Sequence, residues 1–367
     1  MLNIVVPMAG RGSRFAAAGY TVPKPLIPVG GKPMIQWVID NVKPARPHRF
    51  IFICLVEHLR TYLEIPETLR RLSPGCEIVE VAQVTEGAAC TVLLARDLIN
   101  NDEALMIANS DQYVNLGINR YLAIMDEQSA DGLIMTFWAD HPKWSYCRMK
   151  PDKTVAAVVE KQVVSNEATV GIYNFRRGKD FVRAADAMIA KNLRVNNEFY
   201  VAPTYDQLID EGQRVVVADT GREYDGMYGL GTPDDLEFFL TTKEYRARRV
   251  APQPNDLEGV ELTRELSRIY ARFFNDKNIA GVRAMFAPDA RLTDPSVDLS
   301  GREDVETFVA ELFKSFAQLS FEPKKIIAEQ HSSVIEFDLA LDGKLLAGAD
   351  VIEWVDQQIH TLRAYLY

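Results

Sequence analysis

Short apolar runs alternate with longer helix-period segments through the first two thirds of the chain, and this alternation restricts the fold more than any other feature. Residues 2–6, 49–56, 77–81, 104–108, 133–137, 155–159, 169–175 and 214–218 read as strands. Several are apolar on both faces, as strands covered by helices on either side must be. Helical patterns fall at 34–42, 86–98, 180–190, 203–211 and 233–247. Strand and helix in turn predict an α/β domain on a doubly wound, mostly parallel sheet.

The pattern then changes. Thr232 as N-cap, Pro233 at the first helical position and Asp235 three residues after the cap announce a helix. Residues 250–260, with Pro252, Pro254, Asn255, Asp256 and Gly259, lack periodicity and read as a linker. Beyond it Leu262, Leu266, Ile269, Tyr270 and Phe273 form one apolar helical face, and Val305, Phe308, Val309, Leu312, Phe313 and Phe316 form another. Residues 335–341 alternate apolar and polar into an Asp342-Gly343 turn, with further strands at 351–355 and 359–367. Helices followed by an antiparallel run predict a separate α+β domain. The expected division is therefore 1–249, a linker at 250–260, and 261–367.

Charge narrows the partners. Across 367 residues, 41 Lys and Arg against 51 Asp and Glu leave a net −10, which argues against a nucleic-acid footprint built from cations on phosphates. Asp40 is the first acidic residue, and Arg11, Arg14, Lys24 and Lys32 all precede it. The acidic balance thus describes the scaffold, while the N-terminal loops are basic. Cys54, Cys76, Cys90 and Cys147 show no CxxC pair and read as free thiols of a reducing compartment. With no basic n-region at the N-terminus and no apolar run near 20 residues, a cytoplasmic protein without membrane attachment is expected.

Chemistry concentrates after the first strand, in Pro7-Met8-Ala9-Gly10-Arg11-Gly12-Ser13-Arg14-Phe15. Small residues at the C-terminal end of a parallel strand let backbone N–H groups approach a phosphate or a base edge, and Arg14 can add a charge-assisted contact. The spacing matches neither the dinucleotide nor the Walker A pattern. Downstream, Pro23-Lys24-Pro25-Leu26 holds a lysine on a stiff backbone, which suits a cation aimed at a fixed phosphate.

Together the glycine loop and Pro-Lys-Pro-Leu resemble the nucleotidyltransferases that activate sugar phosphates and related phosphorylated compounds, over about residues 1–245. The resemblance implies a Rossmann-like nucleotide-diphospho-sugar transferase fold. It also implies that Arg14 and Lys24 contact the phosphates at the reacting centre, and that Met8, Ala9, Gly10, Gly12 and Ser13 cradle the nucleotide. Ala9, where many pyranose-phosphate members have Gly, leans towards CTP or UTP. In the same family's pattern Gln83 and Gly87 hold the base and sugar. Asn109-Ser110-Asp111 resembles the family's Gly-Asp, which places Ser110 at the nucleotide and makes Asp111 the magnesium ligand. Glu160-Lys161, Val170 and the acid Glu198 with Tyr200 stand where members contact the acceptor. One departure is Gly229, in the place of a second metal-binding Asp; Asp225 is the nearest substitute.

These parts imply a mechanism. An acceptor phosphate, already ionised, attacks the α-phosphorus of a nucleoside triphosphate and expels pyrophosphate. It needs no general base, so five scattered histidines are no obstacle. Positioning and charge neutralisation carry the catalysis. The route would serve precursors of capsule or other surface glycans. Two alternatives stay open at this stage: a glycosyltransferase, because Asn109-Ser110-Asp111 is close to an Asp-x-Asp metal motif, and a non-catalytic nucleotide-binding regulator, because of Gly229.

The C-terminal segment, with Ile269-Tyr270-Ala271-Arg272-Phe273-Phe274, Met285-Phe286-Ala287-Pro288-Asp289-Ala290, Asp294-Pro295 and Leu299-Ser300-Gly301-Arg302, resembles a SnoaL-like domain of the nuclear-transport-factor-like fold. That implies a cone of helices wrapped by a curved antiparallel sheet, often dimeric, so a homodimer through this domain is expected. Asp294, His331 and Tyr270 are its candidate pocket residues.

Overall fold

The structure, a computed structural model, describes residues 1–251, 253 and 256–367. The chain divides into two compact units, Met1–Pro233 and Asp234–Tyr367. Of the expected linker, Pro252, Pro254 and Asn255 lie outside the described residues.

Strands of the first unit are β1 (Leu2–Met8), β2 (Pro28–Val29), β3 (Lys32–Pro33), β4 (His48–Leu55), β5 (Glu77–Val81), β6 (Ala104–Ala108) and β7 (Gln112–Val114). They continue with β8 (Gly132–Trp138), β9 (Ser145–Met149), β10 (Val155–Glu160), β11 (Glu167–Phe175), β12 (Val215–Glu223) and β13 (Gly226–Gly229). The main sheet runs β5-β4-β1-β6-β11-β8-β12-β13-β7, with β9 beside β11 and β10 beside β9. The block β5-β4-β1-β6 is parallel throughout. Beyond it β11 pairs antiparallel with β6 and β8, and β8 with β12 is parallel again. The sheet is doubly wound as expected, yet carries more antiparallel pairing than strand–helix alternation implies. The extra strands escaped the sequence reading because β7 and β13 are very short and β9 includes Ser145 and Arg148.

Alternation along the strands makes two cores. On β1, Leu2, Ile4, Val6 and Met8 face one layer and Val5 faces the other; on β4, Phe50, Phe52 and Cys54 oppose Ile51, Ile53 and Leu55. The helices Met34–Val42 and Ile118–Glu127 cover the first face, and Gly178–Ala190 and Thr204–Asp210 the second. Each fully buried Leu, Ile or Phe there contributes about 1.5–3 kcal/mol, so the strand order is held firmly on both sides. The helix expected at 86–98 is instead two pieces, Ala88–Leu93 and Arg96–Ile99; it starts late because Gly87 (φ 132°) is seated against the backbone of Phe199, and it breaks at Ala95, whose backbone (φ −91°, ψ 13°) leaves the helical range. The one expected at 233–247 is broken at Thr242, whose extended backbone and Oγ1, accepting from Tyr245 N–H, start a new helix at Lys243.

In the second unit the helices Gly259–Asn275, Ile279–Met285 and Arg302–Ser315 accompany a six-stranded sheet. Its strands are β14 (Phe286–Thr293), β15 (Asp298–Ser300), β16 (Leu319–Ala328), β17 (Ser332–Leu341), β18 (Lys344–Val355) and β19 (Gln358–Leu366), ordered β15-β14-β19-β18-β17-β16. Asp342 (φ 46°) and Gly343 (φ 87°) make the tight turn joining β17 to β18, the two left-handed residues that a type I′ hairpin needs. Contacts within this unit explain why its boundary falls at 233 and not at the expected 249. Arg272 holds Asp234 and Glu237, and Phe238 packs on Phe273 at 5.5 Å.

The expected trio of pocket residues does not assemble. Tyr270 is buried, but His331 is exposed, and Asp294 is engaged in its own turn, where Oδ1 accepts from Ser296 and Val297 N–H. The interior carboxyl is Asp350. It shares the inward face of β18 with Ile352 and Trp354, and burial pushes it up to about 7.

Candidate active site

The site forms where the parallel strands end. β1 delivers Met8 and Ala9, both buried, the latter packed in the core beside Val5. The chain then opens into an exposed loop. Gly12 takes the left-handed conformation (φ 61°), which turns the loop into the short helix Ser13–Ala17, and it passes over Lys24: a Cβ on Gly12 would stand 3.4 Å from the Lys24 Cβ. Gly10 and Ser13 lie exposed on this loop. Arg14 is exposed as well, and its side chain makes no hydrogen bond or ion pair among the described residues, so its guanidinium is uncommitted.

Lys24 starts a single 3-10 turn, Lys24–Leu26, after Pro23 in extended conformation. The two prolines leave little backbone freedom, and the Lys24 side chain is mostly buried. Lys24 Nζ lies 2.5 Å from Asp111 Oδ2, across 87 residues of sequence. Asp111 stands just past the C-terminal end of β6, its backbone carbonyl accepting from Leu230 N–H at 2.7 Å. Thus the two sharpest charged candidates of the sequence meet directly, with Ser110 partly exposed next to them.

Two glycines that sequence reasoning did not assign build this corner. Gly231 approaches so closely that a Cβ would lie 2.8 Å from Asp111 Oδ2. Gly171 (φ 101°) lies against Asn109, where a Cβ would come within 2.1 Å of Nδ2, and its carbonyl accepts from Asn109 N–H. Both were visible in the sequence, one inside Leu230-Gly231-Thr232-Pro233 and the other inside Val170-Gly171-Ile172, but neither carries a signal of which chain it approaches.

Gly229 pairs with Gln112 in register, next to Asp111. Asp225, the substitute named from the sequence, stands just before β13, four residues ahead of Gly229 in the chain. No group of three or more His, Cys, Asp or Glu able to hold a metal occurs among the described residues. Asp111 therefore offers a single carboxylate.

A second cluster gathers the acceptor candidates. Glu160 closes β10; its Oε2 accepts from Ser145 Oγ at 2.6 Å, and its Oε1 is buried without a partner. Burial raises the Glu160 carboxyl, partly offset by the Ser145 hydroxyl and the Lys161 charge. Lys161, left-handed at φ 58°, has its Nζ 5.8 Å over the Tyr200 ring and donating to the Lys143 carbonyl. Tyr200 is raised by burial, then by the carboxylates of Glu198 and Glu160, which places all four side chains in one neighbourhood. Val170 is buried at the irregular stretch of β11 beside Gly171. Gln83 is exposed and Gly87 half-buried; the closeness of Phe199, whose N and O would lie 2.5 Å from a Gly87 Cβ, explains that glycine by packing, next to the Arg194–Glu86 ion pair at 2.6 Å.

A family profile described as "Nucleotidyl transferase" matches residues 4–216, more than half of the chain, and one described as "SnoaL-like domain" matches 266–361. A UTP–glucose-1-phosphate uridylyltransferase of Salmonella typhimurium is 23% identical over 198 residues, 46% of this chain and 63% of the relative. The bifunctional protein GlmU of Trichormus variabilis is 26% identical over 271 residues, 69% of this chain and 54% of the relative. The chain spans about half the length of the curated relatives it matches. Among solved structures, a nucleoside-diphosphate-sugar pyrophosphorylase from Vibrio cholerae RC9 superposes with TM-score 0.54 at 26% identity, covering 63% of this chain and 97% of the other.

Proposed function

The chain belongs to the nucleotidyl transferase family, and on that premise we propose that it joins a nucleoside monophosphate, from CTP or UTP, to a sugar phosphate or related phosphorylated acceptor and releases pyrophosphate. The observation that carries the reading is the Lys24–Asp111 pair under the Gly12 loop, beside an uncommitted Arg14. An anionic triphosphate entering there would meet Lys24 and could recruit the exposed Arg14, while loop N–H groups can approach closely because Gly10 and Gly12 have no side chains.

The residues present fit a magnesium ion. Asp111 lies beside Gly231, where any larger residue would crowd its Oδ2, and magnesium commonly takes one or two carboxylates plus substrate phosphates and waters. When bound, the ion would supply charge neutralisation for the triphosphate. Lys24, drawn to Asp111 in the free protein, can exchange that carboxylate for a phosphate oxygen. Glu160 Oε1, buried and unpartnered, would accept from an acceptor hydroxyl, and Lys161 with Tyr200 would bound the acceptor's other side. The acceptor phosphate attacks the α-phosphorus as the P–O bond to pyrophosphate breaks, with Arg14 and Lys24 holding the oxygens on which charge accumulates. We place the reaction in the cytoplasm, in a homodimer formed through the C-terminal unit and supplying surface-glycan precursors.

A pyrophosphate-release assay across four nucleoside triphosphates and a panel of sugar phosphates tests the reading. Lys24→Ala and Asp111→Asn should each lower kcat about a hundredfold or more with the best pair. Sugar transfer from a nucleotide sugar with no pyrophosphate from any pair would make the protein a glycosyltransferase; nucleotide binding without turnover would make it a regulator.

A further inference from the structure

In the C-terminal unit a cavity of about 590 Å³ opens between the helix Gly259–Asn275 and strand β16, and every charged residue lining it is basic. Arg264, Arg268 and Arg272 come from the helix at four-residue spacing, which places them on one face. Lys324 and Lys325 come from the strand. Regular alternation would send these consecutive lysines to opposite faces, but β16 shifts register between Pro323 and Lys325, leaving Lys324 as the extra residue of a bulge. Asn275 Oδ1, accepting from Phe321 N–H at 2.9 Å, ties the end of the helix to the start of the strand. Under the cations lie the buried Phe321 and Ala271.

Acids offset the arginines from outside the lining. Glu261 and Glu265 reach Arg264 and Arg268 from the preceding turn at 2.5 and 3.2 Å, Asp234 and Glu237 hold Arg272 at 3.2 and 2.8 Å, and Asp338 holds Lys324 at 2.6 Å. Each pair has one partner about half or more exposed, and such solvent-screened pairs contribute about 0–1 kcal/mol, so a phosphate offering bidentate bonds can displace them. Lys325 makes no ion pair among the described residues. A bulge and lysines on an edge strand also discourage strand addition, but that role needs no row of arginines on the facing helix.

We propose that this cavity binds a small phosphorylated molecule with a ring-shaped body, of about nucleotide size. The phosphates would sit against Arg264, Arg268, Arg272 and Lys325, and the body over Phe321 and Ala271. The volume is within the range of small-molecule sites. The inference rests on the C-terminal unit alone and stands or falls apart from nucleotidyl transfer.

Hydrogen exchange of the full chain, with UDP, ADP or inorganic phosphate as probe, reads the cavity directly because the signal is local to residues 259–275 and 319–328. A nucleoside diphosphate should slow exchange in both segments at concentrations where inorganic phosphate does not. The double variant Arg268→Gln/Lys325→Gln should raise the concentration needed by roughly tenfold or more, and Lys325→Ala alone should raise it less, both with unchanged melting. The proposal is overturned if neither diphosphate protects these segments, if inorganic phosphate protects them equally, or if the double variant is protected like the parent.

Discussion

Replacing Asp350 by Asn tests the buried interior of the C-terminal unit quantitatively. The side chain is 3% exposed, on the inward face of β18, and forms no hydrogen bond or ion pair among the described residues. Burial holds the carboxyl at about 7 against an ordinary 3.8. The sign follows from which state binds the proton. Below pH about 4 both folded and unfolded chains carry it and there is no penalty; as pH rises, the unfolded chain ionises first and stability falls by about 1.4 kcal/mol per pH unit; above about 7 the loss levels off near 4 kcal/mol. Between pH 5 and 8 the parent should therefore lose about 3 kcal/mol more than Asp350→Asn, which keeps the shape and cannot ionise. Exchange of the β17 and β18 amides, corrected for intrinsic rates, measures this: about a hundredfold faster opening in the parent at pH 8 than at pH 5, with the variant changing about a hundredfold less. Parallel pH dependences in the two proteins would refute the reasoning.

Gly231→Ala should lower kcat by roughly ten- to a hundredfold, because the new methyl meets Asp111 Oδ2 at 2.8 Å and displaces the carboxylate. Melting should change little, since the crowded atom is the end of a side chain; full activity would show that Asp111 tolerates displacement. The four cysteines should resist alkylation at pH 8. Burial pushes the Cys54 thiol up to about 12, leaving about one thiolate in ten thousand, and also raises Cys147, Cys76 and Cys90. Mass spectrometry after brief iodoacetamide treatment checks this, and rapid labelling of Cys54 or Cys147 in the folded chain would contradict their burial.

The α/β character of the first unit was legible because strands buried on both faces need two sets of apolar residues, and β1 and β4 display them in plain alternation. The hairpin turn at Asp342-Gly343 was legible for an equally local reason, since few residues accept two consecutive left-handed conformations. Short strands such as β7 and β13 were not, as three or four residues carry too little periodicity to stand out. Asp350 was missed because the strand was read from Val351, so its carboxyl fell outside the alternation that sends it inward.

At the site the division is sharper. Sequence alone determined which residues could do the chemistry: a lysine stiffened by two prolines, an acid after a strand, an arginine in a glycine loop, all local properties of side chain and backbone. Tertiary structure alone decided which of them meet. It brought Lys24 to Asp111 across 87 residues, set Asp225 just before the strand that Gly229 ends, and set Gly231 and Gly171 against Asp111 and Asn109. The reason is physical: composition and spacing encode what a group is able to do, but the distance between two groups is a property of the packed sheet, set by all the strands between them.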